Sequence, residues 1–357
     1  MKKQLRFGLP VGSLNHPDRW NTKALLDSAD LYTLGYEPGS RKYSPIFTSY
    51  FKTGDVALEA VAVRPQLAPM ELCRTDKHGL DIAITGSDWA REGTFRGYNT
   101  QKLCDLGYGY VDVVIAIYKE LGVDNISDLL RLKSKERKKE DRVLWCYTEY
   151  TNLAIETLLN NKTYRELYGE EEPQVLIKGT ILRGKNPYVK VVDSEGTTEL
   201  AGPSGFGDII IENKQTGITL DTNNYIAVDK LDTSVAGLYA GPHIREDMED
   251  RWKYEEVQII KIALEGAALS KNYVYYVLDV PHIREEKVFD YIKKERLFTR
   301  EPIKSPGDVY TETRLLVPKE RAHSIRRELL KRGAEAIITI PITSITGLNN
   351  KNNNERP

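Results

Sequence analysis

The sequence is poor in the residues that build disulfide frameworks and histidine-based metal centres. Its 357 residues contain only three cysteines and five histidines. The cysteines form no Cys-x-x-Cys pair, and no two histidines are spaced as His-x-His or His-x-x-x-His. An odd number of widely separated cysteines argues against a disulfide scaffold and favours a reducing cytoplasm. The same scarcity argues against a zinc site.

The chain also lacks a strong net charge and any long apolar run. Its 51 lysines and arginines nearly balance 52 acidic residues, so there is no overall field to attract nucleic acid or a membrane surface. The densest charge run, residues 131–142, mixes both signs and favours a solvated helix or loop. The longest apolar segments are as short as strands, and the amino terminus has no signal-peptide pattern. We therefore expect a cytoplasmic protein without nucleic-acid or membrane partners.

What is present is an alternation of strand and helix patterns, which is typical of α/β proteins. Strand patterns are found at 5–9, 56–63, 81–85, 111–117, 175–181 and 189–192. Helical patterns are found at 22–28, 69–77, 151–159 and 255–269. Ligands of such sheets bind at the carboxyl ends of strands, which brings residues 10–13, 64–66 and 85–88 to one predicted cleft.

The pattern predicts two lobes and a separate carboxyl-terminal module. Lobe I comprises residues 1–104 and 225–270, and lobe II comprises 105–224. Residues 271–346 alternate as β-α-β-β-α-β, the order of a ferredoxin-like domain. The asparagine-rich residues 347–357 are expected to be disordered.

Residues 208–220 carry the most informative chemical pattern. Ile209–Ile211 reads as a buried strand flanked by Asp208 and Glu212, and a Thr-Gly-Ile-Thr turn follows at 216–219. Backbone N–H groups and hydroxyls of such a turn can surround a phosphate. The two acids can accept hydrogen bonds from ribose hydroxyls or hold a metal ion. A plain turn is the alternative, because threonine and glycine are common in turns.

Residues 179–186 nearly match a nucleotide-binding P-loop. Asn186 stands where a serine or threonine should contact magnesium, and a strand pattern rather than a helix follows. We interpret the segment as a basic hairpin turn.

Several segments, taken in order, resemble the long form of the ATP phosphoribosyltransferase family, which opens histidine biosynthesis. The resemblance spans nearly the whole chain. Its segments are Leu9-Pro10-x-Gly12-x-Leu14, Arg64-Pro-Gln-x-x-Pro69, Leu80–Trp89, Gly196-Thr-Thr-Glu199 with Gly205-Phe-Gly-Asp208, Glu212–Asn223 and Gly333–Ile342.

The resemblance implies an activity and a fold. Ribose 5-phosphate would pass from phosphoribosyl pyrophosphate to N1 of ATP, and Mg²⁺ would bridge the pyrophosphate oxygens. The fold class would be α/β, with a two-lobed catalytic part like the type II periplasmic binding proteins. The carboxyl-terminal ferredoxin-like (ACT-like) domain would sense histidine as a feedback inhibitor. The protein would be a homo-oligomer, a dimer or a hexamer.

The resemblance also implies three groups of site residues. Those facing the ribose or Mg²⁺ are Glu199, Asp208 and Glu212. Those holding the 5′-phosphate are Gln215, Thr216, Gly217, Ile218, Thr219 and Leu220. Those on the acceptor or pyrophosphate side are Gly12, Ser13, Arg64, Thr85, Gly86 and Asp88. Structural alternatives stay open: a cap for Asp208, a surface position for Glu199, an ion pair for Arg64, and the N-cap of a helix starting at Trp89 for Asp88.

The first loop departs from the family pattern. Val11 and Ser13 stand where the family usually has lysine and arginine, so polyphosphate binding needs a replacement cation such as Arg6, Arg19, Arg41 or Lys42. The stretch 162–193 looks longer than the family equivalent. Two alternatives therefore remain. One is a related phosphoribosyltransferase with another acceptor, and the other is a paralogue that closes on a ligand without turnover.

Overall fold

The computed structural model describes residues 3–40, 43–48, 56–140, 143–194, 198, 207–214, 218–297, 302–304 and 309–346, with only the backbone at 136–140, 218 and 219. The chain divides into two compact units. The first comprises Met1–Ala62, Leu103–Tyr108 and His243–Pro357, and the second comprises Val63–Lys102 and Gly109–Pro242. The predicted division into lobes stays a prediction.

The strands, in chain order, are β1 (Lys3–Pro10), β2 (Thr33–Leu34), β3 (Ile46–Phe47), β4 (Val56–Val63), β5 (Ile82–Gly86), β6 (Gln101–Asp105), β7 (Val111–Tyr118), β8 (Leu144–Thr148), β9 (Pro173–Ile177), β10 (Thr180–Arg183), β11 (Asn186–Asp193), β12 (Ile209–Lys214), β13 (Tyr225–Ser234), β14 (Ala236–Ala240), β15 (Tyr273–Pro281), β16 (Ile303–Lys304), β17 (Tyr310–Pro318) and β18 (Glu335–Pro341). The helices are α1 (Thr22–Ser28), α2 (Ala68–Leu72), α3 (Ser87–Phe95), α4 (Ile126–Glu140), α5 (Thr151–Asn160), α6 (Lys162–Tyr168), α7 (Ile218–Thr222), α8 (Arg251–Ser270), α9 (Glu285–Lys294) and α10 (Ala322–Lys331). The fold is a mixed α/β one, as predicted.

A seven-stranded sheet organises the second unit. Its strand order is β10-β9-β11-β8-β12-β7-β13. Strands β9, β11, β8 and β12 are parallel neighbours, whereas β7 runs antiparallel to both β12 and β13. The carboxyl ends of β8, β11 and β12 therefore meet at one edge of the sheet. Ligands of α/β proteins bind at this kind of edge.

The apolar run of β12 is buried on both faces of the sheet. Ile209 and Ile211 pack in a cluster with Leu153 of α5 and Leu129 of α4. Ile210 points to the opposite face, where it packs in a separate buried cluster. Because successive side chains of a strand alternate between faces, only a strand covered on both sides needs an unbroken apolar run.

The second unit also contains the segment 63–102. Strand β5 pairs antiparallel with β14, and α3 begins at Ser87, directly after the strand, with Gly86 as its N-cap residue. A 3-10 turn, Pro65–Leu67, precedes α2. The helix predicted at 69–77 is shorter than expected, because α2 already ends at Leu72.

One predicted strand, 175–181, is in fact a hairpin of β9 and β10. Lys178 and Gly179 connect the two strands and have φ values of 49° and 77°. Positive φ at both residues of a two-residue loop is the type I′ geometry, which matches the twist of antiparallel strands. Strand β11 follows at Asn186 instead of a helix, so the segment 179–186 is not a P-loop. The hairpin turn itself lies at Lys178 and Gly179, because Gly184 and Lys185 lead into β11, which pairs with β9 and not with β10.

In the first unit, residues 273–341 form a β-α-β-β-α-β module. The sheet order is β16-β17-β15-β18, and its neighbouring strands are antiparallel. Alternate residues of β15 and β17 pack against α9 and α10 around Leu278, Leu315 and Ile325. The described order of elements is the one that the sequence pattern predicts.

The chain that leaves this module returns to α8. Ser270 Oγ donates to the Thr343 carbonyl oxygen at 2.7 Å. The Ile345 N–H donates to the Gly266 carbonyl oxygen at 3.0 Å. A Cβ atom at position 266 would lie 2.8 Å from the Ile345 oxygen, so the close approach requires glycine there. We call residues 343–346 the carboxyl-terminal strap.

Within the described part of the chain, no helix is long and apolar enough to span a membrane.

Candidate functional site

The turn between β8 and α5 is the most firmly held part of the sheet's carboxyl edge. Thr148 Oγ1 donates to the Ile211 carbonyl oxygen of β12 at 2.8 Å. The same hydroxyl accepts from the Tyr150 N–H at 2.8 Å. One buried hydroxyl thus ties two neighbouring strand ends together and fixes the backbone on both sides of Glu149.

Glu212 lies at this edge, near the carboxyl end of β12. It is partly buried, and its Oε1 accepts from the Asn213 N–H at 2.9 Å. Asp208, in contrast, immediately precedes β12. Four residues of strand span about 13 Å, so the two acids that flank the apolar run lie at opposite ends of the strand.

Asp208 is bound by structural partners at the amino end of β12. Its Oδ1 lies 2.8 Å from Lys133 Nζ, and its Oδ2 accepts from the Trp145 N–H at 2.9 Å. Asp208 and Lys133 are 9% and 7% exposed. The pair joins α4 to the starts of β8 and β12. This arrangement favours the structural alternative for Asp208, although as an ion pair rather than a helix cap.

Only part of the predicted phosphate loop can be described. Glu199, Gln215, Thr216 and Gly217 lie outside the described residues. Ile218 and Thr219 begin α7, and the side chain of Leu220 is buried in the cluster around Ile210. The loop therefore connects the carboxyl end of β12 to the start of α7.

On the predicted acceptor side, Thr85 and Asp88 have defined partners. Thr85 Oγ1 donates to the Pro65 carbonyl oxygen at 2.8 Å, which joins the end of β5 to the turn that carries Arg64. Asp88 lies inside the first turn of α3, and Gly86 occupies the N-cap position. The alternative of an N-cap role for Asp88, with a helix starting at Trp89, is therefore wrong.

Asp88 is the centre of a buried hydrogen-bonded group. Its Oδ2 accepts from Tyr150 Oη at 2.6 Å, and its Oδ1 accepts from Ser234 Oγ at 2.5 Å. The Tyr150 ring stacks on Trp89 with a centroid distance of 4.3 Å. Burial, and then the Asp88 charge, raise the pKa of Tyr150. A side chain at Gly86 would collide with the Asp88 carboxylate and with Ser234. The group fastens α3 to the β8–α5 turn and to the end of β13.

Glu92 of α3 caps the N-terminus of the neighbouring helix α5. Its Oε1 accepts from the Asn152 N–H at 3.1 Å, from Asn152 Nδ2 at 2.7 Å and from Thr151 Oγ1 at 3.1 Å. The N-cap residue of α5, Tyr150, makes no side-chain cap bond. A carboxylate at a helix N-terminus satisfies open N–H groups and interacts favourably with the helix dipole.

Glu149, which belongs to none of the sequence motifs, lies at the centre of a charged cluster. Arg96 Nη2 donates to the Glu149 carbonyl oxygen at 3.0 Å and lies 3.7 Å from Asp193 Oδ2, at the carboxyl end of β11. Partial burial, followed by the nearby Asp193 charge, raises the pKa of the Glu149 carboxyl, while Arg64, Arg96 and a hydrogen bond from Gln66 oppose the shift. Its only sequence signal is its place directly after the apolar segment 143–148, which is not among the strand patterns given above.

Gly12 and Ser13 belong to the first unit. Gly12 has a φ of 90°, and Ser13 begins a 3-10 turn. Among the suggested replacement cations, Arg19 contacts this loop, because its Nη2 donates to the Ser13 carbonyl oxygen at 2.8 Å. Arg6 instead pairs with Glu59 at 3.1 Å. Arg41 and Lys42 lie outside the described residues.

The described residues contain no group of three or more histidine, cysteine, aspartate or glutamate side chains arranged to hold a metal ion.

Among known proteins, the matching family model and the curated relatives carry the same description. The family model described as ATP phosphoribosyltransferase matches residues 74–265. An ATP phosphoribosyltransferase from Trichlorobacter lovleyi is 25% identical over 354 residues, which cover 97% of this chain and 100% of that protein. One from Chlorobium luteolum is 26% identical over 348 residues, covering 96% of this chain and 98% of that protein.

Solved structures are more distant. The ATP phosphoribosyl transferase (HisG:HisZ) complex from Thermotoga maritima includes a chain that is 17% identical, with a TM-score of 0.43 over 73% of this chain and 98% of that chain. The aliphatic sulphonate binding protein SsuA from Escherichia coli is 11% identical, with a TM-score of 0.39 over 92% of this chain and 86% of that chain. At these TM-scores we draw no conclusion from the structural likeness.

Proposed function

The chain belongs to the ATP phosphoribosyltransferase family, and on that premise we propose that it catalyses the first step of histidine biosynthesis. Ribose 5-phosphate passes from phosphoribosyl pyrophosphate to N1 of ATP, and pyrophosphate is released. The observation that carries the proposal is the family match, which covers more than half of the chain and includes the β8–α5 turn, β12 and α7. The curated relatives extend the match over nearly the full chain.

The reaction needs little acid–base chemistry from the protein. N1 of adenine is neutral and already has a free electron pair, so it attacks C1 of the ribose without a strong base. C1 gains positive character as the bond to pyrophosphate breaks. Catalysis then rests on holding the two reactants in line and on stabilising the charges that develop.

We assign the donor side to the carboxyl edge of β12. The loop with Gln215, Thr216, Gly217, Ile218, Thr219 and Leu220 binds the 5′-phosphate, and Glu212 and Glu199 face the ribose. The position of Glu212 supports this assignment, since the acid lies on the strand end from which the loop departs. We leave Asp208 out of the donor site because Lys133 and the Trp145 N–H bind both of its oxygens.

We assign Arg64, Thr85 and Gly86 to the acceptor or pyrophosphate side. The support is the hydrogen bond from Thr85 to the Pro65 carbonyl oxygen, which keeps the end of β5 beside the turn of Arg64. Asp88 supports this side indirectly, through its bonds to Tyr150 and Ser234. The assignment of Gly12 and Ser13 stays a prediction, and Arg19 is its candidate cation.

We propose that Mg²⁺ binds together with the substrate phosphoribosyl pyrophosphate. Bound to the pyrophosphate oxygens, the ion would neutralise charge on the leaving group. Glu212 is a protein carboxylate on the donor side that could contact it. Asp208, which forms an ion pair with Lys133, is a poorer candidate.

The finer fold classes and the regulation also belong to the proposal. We propose a catalytic part of the type II periplasmic-binding-protein class and a ferredoxin-like, ACT-like module at 273–341 that senses histidine. The strand order of the module, with its two outer strands flanking an inner antiparallel pair, supports this class. A chain that ends at Ser270 should retain activity and lose inhibition by histidine. We further propose a cytoplasmic homo-oligomer, either a dimer or a hexamer.

A single assay tests the activity. The protein is mixed with Mg²⁺ and phosphoribosyl pyrophosphate, and pyrophosphate release is followed with ATP or with a panel of other bases and nucleotides. Release with ATP supports the proposal. Release only with another acceptor supports a related transferase, an alternative that Val11 and Ser13 favour. Absence of release with every acceptor supports a paralogue without turnover.

A second experiment tests the donor loop. The double variant Thr216→Ala, Thr219→Ala should lose the binding of phosphoribosyl pyrophosphate in a calorimetric titration. Thr180→Ala is the matched control, because Thr180 is exposed on β10, at the far edge of the sheet. Unchanged binding by the double variant would refute the assignment of the loop.

A further inference from the structure

Glu149 occupies a preorganised position on the carboxyl edge of the seven-stranded sheet. Strand β8 is the direct neighbour of β12, so the turn that carries Glu149 lies about 5 Å, one strand spacing, from the strand of the donor loop. The Thr148 hydroxyl fixes the backbone before and after it. The Arg96 guanidinium holds its carbonyl oxygen.

The groups around the Glu149 carboxyl come from three neighbouring elements. The turn before α2 contributes Arg64 and the Gln66 side chain, which donates a hydrogen bond to the carboxyl. Arg96, the C-cap residue that follows α3, is the second contribution, and β11 contributes Asp193, which lies 3.7 Å from Arg96. The Gln66 bond uses one of the roughly four acceptor positions of a carboxylate, so further donors can be bound.

The position lies between the two proposed substrate sides. The donor loop follows the adjacent strand, β12, whereas Gln66 and Arg64 belong to the turn that we assign to the acceptor or pyrophosphate side. An ionised carboxylate can only accept hydrogen bonds. Among the groups of adenine that surround N1, the exocyclic N6 amine is the donor.

From this geometry we propose that Glu149 accepts a hydrogen bond from the N6 amine of the acceptor adenine and stabilises the cation that forms as N1 attacks. The proposal rests on the function given above and extends it to one named contact in the transfer step.

The step itself balances without a further reactant. The N1 electron pair forms the bond to C1, and the C1–O bond breaks with its electron pair leaving on pyrophosphate. The adenine then carries one positive charge, shared over N1, C6 and N6. A carboxylate beside N6 interacts more strongly with this cation than with neutral adenine, so the contact strengthens in the transition state.

The first test compares Glu149→Gln and Glu149→Ala with wild type by pyrophosphate release. Each substrate is varied while the other is saturating. We expect kcat/KM for ATP to fall about ten- to hundred-fold, the effect of losing a charged hydrogen bond, with the KM for phosphoribosyl pyrophosphate unchanged. Glu156→Gln is the control, because Glu156 is a partly exposed acid of α5 that pairs with Arg91. Far-ultraviolet circular dichroism verifies folding.

The second test is the pH profile. Burial and Asp193 raise the pKa of Glu149, with Arg64, Arg96 and Gln66 opposing them. Wild-type kcat/KM for ATP should therefore fall on the acidic side, as the carboxylate becomes protonated and loses its charge. In Glu149→Gln this acidic decline should begin at lower pH, where N1 of ATP itself becomes protonated, whereas a purely structural Glu149 would leave the shape of the profile unchanged.

The third test uses purine riboside 5′-triphosphate, an ATP analogue without the N6 amine, as a competitive inhibitor. We expect its inhibition constant to be the same for wild type and Glu149→Gln, within about two-fold. Equal weakening of the analogue and of ATP would overturn the N6 contact. A rise only in the KM for phosphoribosyl pyrophosphate would overturn it in favour of the donor ribose. If wild type releases no pyrophosphate with ATP, the proposed function is refuted and the N6 contact with it, whereas the two preceding outcomes refute the contact alone.

Discussion

The substitution Glu92→Ala tests how helix α3 supports the turn of Glu149. Glu92 is 3% exposed, and its carboxylate binds two N–H groups and two side chains at the start of α5. Removing a helix cap costs about 1 kcal/mol. Leaving buried donors without a partner costs about 1–3 kcal/mol more. We therefore expect the free energy of unfolding to fall by about 3 kcal/mol.

Glu92→Gln separates the charge from the hydrogen bonds. The amide keeps one acceptor oxygen for Asn152 but presents N–H groups towards the Leu153 N–H, which Glu92 Oε2 binds at 3.4 Å. It also loses the interaction of a negative charge with the helix dipole, about 0.3–1 kcal/mol. The expected cost of Glu92→Gln is about 1.5 kcal/mol, half that of Glu92→Ala.

Urea unfolding provides the assay for both variants. Circular dichroism reports the helices, and tryptophan fluorescence reports Trp89, whose ring stacks on Tyr150 at the start of α5. Glu156→Ala is the control, since a partly exposed ion pair contributes at most about 1 kcal/mol. If Glu92→Ala unfolds within about 0.5 kcal/mol of wild type, Glu92 does not cap α5.

Three further predictions concern other parts of the second unit. Lys133→Met should lower the free energy of unfolding by about 3 kcal/mol because it removes the cation of a buried ion pair, and adding Asp208→Asn should restore most of the loss; urea unfolding that shows no recovery would contradict the pairing. Gly184→Ala should lower the melting temperature measured by calorimetry, because position 184 has a φ of 87° and a Cβ there would collide with the Pro173 carbonyl; a melting temperature equal to that of wild type would show that the turn adapts. Cys146 should resist iodoacetamide in the native protein and react after urea is added, because burial raises the pKa of its thiol to about 12; rapid labelling of the native protein, detected by mass spectrometry, would contradict its burial.

The parts of the fold that the sequence predicts are those with a local and regular pattern. The run Ile209–Ile211 predicts a strand that is buried on both faces. The alternation of strand and helix patterns in 273–341 predicts the order of elements in the carboxyl-terminal module. These patterns arise because burial follows the period of the strand or helix itself. The type I′ turn at Lys178 was missed, since lysine is not a typical residue for positive φ.

The parts that the sequence does not reveal depend on pairs that are distant in the chain. Lys133 lies in the charge run that favoured a solvated segment, yet α4 turns it inward to Asp208. Only the orientation of α4 on the sheet decides which member of the run is buried. Glu149 could not be identified from the sequence for the same reason. The groups around its carboxyl, Arg64, Gln66 and Asp193, are distant from it in the chain.

The carboxyl-terminal strap bears on whether the module at 273–341 can be exchanged between proteins. The module begins just after Ser270, and the strap returns to Ser270 and Gly266, one helical turn earlier. Its entry and exit therefore lie side by side on the last turn of α8. Adjacent ends are the geometry that allows a domain to be inserted, exchanged or circularly permuted as a unit. A helix that received this module would therefore also need a glycine at the position of Gly266, where the strap approaches the helix backbone.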